Sequence, residues 1–116
     1  MIRVKRVYEK PAKEDGFRVL VDRLWPRGMK KEAAKVNLWL KDVAPSDKLR
    51  KSFYHKAMKW TEFEKEYHAE LQNKEESLAE LNKLEKGHGT VTLLYGAKNQ
   101  EHNQAVLLAK ALKKTT

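Results

Sequence analysis

A chain of 116 residues with 41% hydrophobic residues has room for one domain around one core, and is too apolar for a disordered chain. It contains no cysteine, which excludes disulfides and thiolate chemistry. A net charge of +9 with a pI near 9.7 favours anionic partners over cationic ones.

The charge is unevenly distributed. Residues 1–60 hold 17 Lys and Arg against 7 Asp and Glu, while residues 61–116 hold 8 against 9. All six arginines (Arg3, Arg6, Arg18, Arg23, Arg27 and Arg50) fall in the first half. Arginine suits the two-pronged grip on phosphate or carboxylate. The plainer reading is a lysine-rich surface that keeps a small protein soluble.

In chain order, Ile2 and Val4 alternate with Arg3 and Lys5, which predicts a half-exposed strand to about Tyr8. Lys10 to Gly16 reads as a loop closed by Asp-Gly. Phe17 to Asp22 is a second strand, and its continuous apolar centre predicts cover on both faces. Pro26 and Gly28 break the chain, and Lys30 to Lys35 has the makings of a helical turn. Val36 to Val43 fits helix or strand, and a short strand is the preferred reading.

Ser46 is placed to cap a helix carrying Leu49 and Phe53 on one face. Thr61-x-x-Glu64 and Ser77-x-x-Glu80 are capping-box patterns, each followed by apolar residues at helical spacing. Gly87-His88-Gly89 ends the second of these helices. Thr90 to Tyr95 is the other strongly apolar strand, Gly96 to Asn99 a tight loop, and Glu101 to Lys114 a last helix. The predicted architecture is a single α/β domain over residues 1–116, with a central, mostly parallel sheet of about four strands flanked by helices.

Both apolar strands end in polar loops. The first delivers Asp22, Arg23, Trp25 and Arg27; the second delivers Tyr95, Gly96 and Lys98, followed by His102 and Asn103. Ligands of open α/β sheets bind beyond the carboxyl ends of the strands, so parallel neighbours would open both loops onto one crevice. Free amides at the start of the last helix would favour an anion there.

On this reading Arg23 and Arg27 clamp a small anion. Trp25 shields it, Tyr95 and Asn103 orient it, and Asp22 and His55 complete the ligand-binding set. His102 is the candidate catalytic acid or base, because imidazole titrates near neutrality. Each residue also has a plain structural reading: loop salt bridges for Asp22, Arg23 and Arg27, packing for Trp25 and Tyr95, and helix-end hydrogen bonds for His55, His102 and Asn103. His68 and His88 read as surface residues, Trp39 and Trp60 as core. No cofactor motif and no metal-ligand spacing is present. A nucleic-acid or regulatory role for the basic half, without catalysis, is the alternative. No membrane span or signal peptide is expected, so a cytoplasmic location is the default.

The run Arg18-Val19-Leu20-Val21-Asp22-Arg23-Leu24-Trp25-Pro26-Arg27-Gly28 resembles the signature of the DUF488 family, YeaO-like branch. The segments Trp39 to Ser46, Leu49-Arg50-Lys51, His55, Trp60-x-x-Phe63, Tyr67, Leu93-Leu94-Tyr95 and Glu101-His102-Asn103-x-Ala105 extend the resemblance along nearly the whole chain. It implies a small bacterial α/β protein and brings no function with it. Another branch of the family carries cysteines at the positions matching Tyr95-Gly96-Ala97 and Glu101-His102-Asn103. The resemblance therefore implies the same two-loop site, here without thiol chemistry.

Overall fold

The computed structural model describes residues 1–55 and 58–114. Four parallel strands form one sheet: β1 (Ile2–Arg6), β2 (Phe17–Leu20), β3 (Leu38–Trp39) and β4 (Val91–Tyr95), in the order β1-β4-β2-β3. Among the described residues five α-helices accompany it: α1 (Lys31–Ala34), α2 (Asp47–Tyr54), α3 (Trp60–Leu71), α4 (Glu75–His88) and α5 (Gln104–Lys114). The predicted α/β class holds, with the sheet wholly parallel among the described residues.

The continuous apolar runs are explained by two-sided cover. Val19, Val21, Val91, Leu93 and Tyr95 face a large core completed by Leu49, Phe63, Tyr67, Leu81, Leu108 and Leu112 from α2 to α5. The alternate residues Leu20 and Leu94 join Val7 and Ala34 in a smaller cluster on the opposite face, closed by Trp25, Met29, Val36 and Trp39. The period-two alternation of a strand thus feeds two cores, and no solvent-facing residue interrupts β4.

Polar groups pin these layers. The buried Tyr67 hydroxyl donates to the Val43 carbonyl at 2.5 Å, and burial pushes its phenol far above the usual tyrosine range, so it stays a donor. A Tyr67→Phe variant leaves that carbonyl unpaired. It is expected to lose about 1–2 kcal/mol in urea unfolding with native secondary structure retained.

Several boundaries differ from the sequence reading. Ser46 does cap α2, accepting from the Leu49 N–H at 3.2 Å. The capping boxes at Thr61 and Ser77 do not form. α3 begins at Trp60 and α4 at Glu75, and neither has a side-chain cap. Trp60 is drawn into the first turn by stacking against Phe63 and His102. Ser77 donates instead to Asp42, which also pairs with Lys74. Tertiary contacts outweigh local caps at both places. Strands β1 and β2 end two residues earlier than predicted, and α5 starts at Gln104 rather than Glu101.

Candidate functional site

Strands β2 and β4 are parallel neighbours, with Leu20 opposite Leu94 and the Val21 N–H bonded to the Leu94 carbonyl at 3.0 Å. Their carboxyl ends open side by side on a cleft of about 580 Å³. Asp22, the second residue after β2, accepts the Gly96 N–H at 2.8 Å on one carboxylate oxygen and the Gln104 side-chain amide on the other. A Cβ at residue 96 would lie 3.0 Å from the Asp22 oxygen, so glycine there permits the close approach. Burial pushes the Asp22 pKa up to about 6, against the opposing pull of the Gly96 N–H, Gln104 and Arg50.

The loop after β2 forms one wall. Trp25 donates its indole N–H to the Met29 carbonyl at 2.6 Å and meets Trp39 edge-on at 5.5 Å. The Tyr8 hydroxyl donates to the Arg27 carbonyl at 2.8 Å and secures the loop across the cleft. Gly28 adopts a φ of +76°, a conformation that favours glycine. Helix α2 supplies the facing wall with Arg50, Phe53 and Tyr54. Three of the four large hydrophobic side chains most exposed to solvent, Tyr8, Leu24 and Tyr54, border this cleft. Apolar surface left open around a polar floor is a feature of ligand sites.

The arginines of the site differ in their commitments. Arg23 donates to the carbonyls of Pro45 at 3.0 Å and Ala44 at 3.3 Å, and lies 3.9 Å from Asp47. These contacts brace the approach to α2. Arg50 touches Asp47 at 3.5 Å through one terminal nitrogen, while its Nε is buried without a hydrogen-bond partner. Arg27 and Lys98 line the cleft with no side-chain ion pair among the described residues. Four cationic side chains therefore border the cleft against one carboxylate, that of Asp22.

Five of the residues expected from sequence come together here: Asp22, Arg23, Trp25, Arg27 and Asn103. Three do not line the cleft. Tyr95 is buried beneath it; burial raises its pKa, with Asn103 as a side-chain partner. His55 is exposed at the carboxyl end of α2, its backbone N–H bonded to Lys51. His102 precedes α5 and stacks on Trp60 at 4.6 Å in a second, adjoining hollow. The two hollows share Phe53, Tyr54, Ala97 and Lys98.

The amides before α5 are largely taken up. Asn99 accepts from the Glu101 and His102 N–H groups, and Asn103 caps Val106. Arg50, Phe53 and Tyr54 were missing from the sequence-derived set. Arg50 was visible as one of the six arginines and within the Leu49-Arg50-Lys51 segment of the family resemblance, but an arginine on the polar side of an amphipathic helix reads as solvated. Among the described residues, no group of three or more His, Asp or Glu is placed to hold a metal, and no helix is long and apolar enough to cross a membrane.

Comparison with known proteins agrees with the signature around Asp22 and Arg27. The chain is 42% identical over 112 residues to the uncharacterized protein YeaO of Escherichia coli (strain K12), covering 97% of this chain and 96% of that one. It is 42% identical over 111 residues to the uncharacterized proteins Mb3100c of Mycobacterium bovis and Rv3073c of Mycobacterium tuberculosis, covering 96% of this chain and 92% of each relative. No solved structure matches the chain. A family model described as the inactive DUF488-N3 subclade matches residues 1–116, and the chain belongs to that family.

Proposed function

We propose that the cleft beyond β2 and β4 binds a small anionic ligand and does not turn it over. The observation that carries this reading is the charge of the lining: Arg23, Arg27, Arg50 and Lys98 border the cleft against one carboxylate, that of Asp22. Arg50, partly exposed there and 3.5 Å from Asp47 through one terminal nitrogen, keeps donors of its guanidinium for an anion. Arg27 and Lys98 add positive charge at the rim, and Tyr54 and Phe53 offer apolar faces to the rest of the ligand.

Binding without catalysis accords with two further facts. Among the described residues no histidine lines the cleft, and His102 lies in the adjoining hollow stacked on Trp60. The matching subclade is described as inactive. The alternative of a nucleic-acid surface has less to support it. Arg3, Arg6, Arg18 and Arg23 all donate to backbone carbonyls of this chain, which leaves them less free for phosphates.

Phenyl phosphate and 3-phenylpropionate serve as probes in calorimetry and thermal unfolding. The wild-type protein is expected to bind at least one of them at millimolar concentration. Arg50→Ala should weaken binding about tenfold or more, as expected for loss of a charge-assisted hydrogen bond. Arg3→Ala, on β1 away from the cleft, should not change it. Absence of binding to the wild-type protein, or an unaltered affinity in Arg50→Ala, would overturn the reading.

A further inference from the structure

The cleft holds opposite charges that do not meet. Asp22 and Arg50 both line it, yet no ion pair closes between them. Each retains unused capacity. The two Asp22 oxygens each accept one hydrogen bond, from Gly96 and from Gln104, whereas a carboxylate offers about four acceptor positions. Arg50 is partly exposed in the cleft wall and spends one terminal nitrogen on Asp47 at 3.5 Å. An anion alone would satisfy Arg50 and leave Asp22 as a nearby repulsive charge.

From this juxtaposition of an under-used carboxylate and an under-used guanidinium in one cleft, we propose that the ligand is a zwitterion of the α-amino-acid class, with its ammonium on Asp22 and its carboxylate on Arg50. This rests on the anion-binding reading above and narrows it. The ligand's side chain would extend past Tyr54 into the adjoining hollow, whose walls include Phe53, Met58, Trp60 and His102. Those walls favour an aromatic or large apolar side chain. Burial disfavours the charged form of Asp22, and a ligand cation beside it would offset that cost.

Three probes share one aromatic tail and differ in their charges: L-phenylalanine, 3-phenylpropionate, which lacks the ammonium, and phenethylamine, which lacks the carboxylate. Calorimetry at about pH 8 keeps Asp22 ionised. The expected result is that L-phenylalanine binds the wild-type protein at least about tenfold tighter than either single-charge analogue. Asp22→Asn removes the ammonium's partner and the charge that repels a lone anion, so it should abolish the preference for L-phenylalanine over 3-phenylpropionate by weakening the first and tightening the second.

If 3-phenylpropionate binds as tightly as L-phenylalanine, or if Asp22→Asn keeps the preference, the zwitterion proposal is overturned and the anion site stands. If neither 3-phenylpropionate nor phenyl phosphate nor L-phenylalanine binds the wild-type protein, both readings fall. The comparison among ligands on the wild-type protein holds whether or not the variant folds.

Discussion

Replacing Asp15 by alanine is expected to lower the unfolding free energy by about 3–5 kcal/mol, the usual result of removing one partner from a buried ion pair. Asp15 is 1% exposed and Arg18 4%. The carboxylate receives Arg18, Lys5 Nζ at 3.1 Å and the Ala12 N–H at 2.9 Å. Burial alone would raise its pKa, but these donors outweigh burial and hold it below the usual aspartate value. Arg18 also donates to the Ala34 carbonyl at 2.7 Å and the Lys35 carbonyl at 3.1 Å. Without Asp15 the guanidinium stays buried with its charge uncompensated. Against a total stability of roughly 5–15 kcal/mol for a small domain, that loss removes between about a fifth and the whole of it. The measurement is urea unfolding at neutral pH. A double replacement, Asp15→Leu with Arg18→Met, should recover much of the loss. A single-variant loss below about 1 kcal/mol would show that the pair is not a strut of the fold.

The consequence reaches the cleft. Thr92 donates its hydroxyl to the Asp15 carbonyl at 2.6 Å, which ties the start of β2 to β4. The same register carries Leu20 opposite Leu94 and delivers Asp22 to the Gly96 N–H. A slip of one residue in β2 would exchange the two faces of the strand and remove Asp22 from the cleft floor.

The apolar runs at Val19-Leu20-Val21 and Val91 to Tyr95 made the central strands legible, because a strand covered on both faces cannot carry polar residues at every second position. Their polar ends made the site's location legible. The division of labour among the arginines was not. Arg18 sits in the middle of an apolar strand, and only the fold brings Asp15 and the Ala34 carbonyl to it. Arg23 stands beside Asp22 in sequence, yet its guanidinium turns to Pro45 and Asp47. Arg50 lies 28 residues beyond Asp22 in sequence, on the far side of β3, and reaches the cleft only because α2 packs over it. His102 follows the right loop, but Asn99 binds its backbone N–H and its ring stacks on Trp60. Helix starts at Trp60 and Glu75 were hidden for the same reason: non-local stacking and the Asp42 cluster decide them.

Asp22→Asn is expected to make the protein more stable at pH 8, by up to about 2–3 kcal/mol, while removing the preference for a zwitterion. The Asp22 pKa stands at about 6 in the folded protein against 3.8 for an ordinary aspartate, chiefly through burial. The folded state therefore holds its proton more tightly than the unfolded state. As pH rises from about 4 to about 6 the unfolded chain ionises first, and stability falls on account of this residue. Above about 6 both states are ionised and the penalty is complete. Asparagine resembles the protonated acid. Its carbonyl can accept the Gly96 N–H, and its amide can donate to a rotated Gln104 carbonyl. Stability curves of variant and wild type should converge near pH 4 and separate through pH 6, with the variant above. A gap that is constant with pH, or that widens as pH falls, would show that Asp22 is not a strained carboxylate. The expected pairing of higher stability with lost ligand discrimination would identify the penalty at Asp22 as one that a bound ammonium relieves.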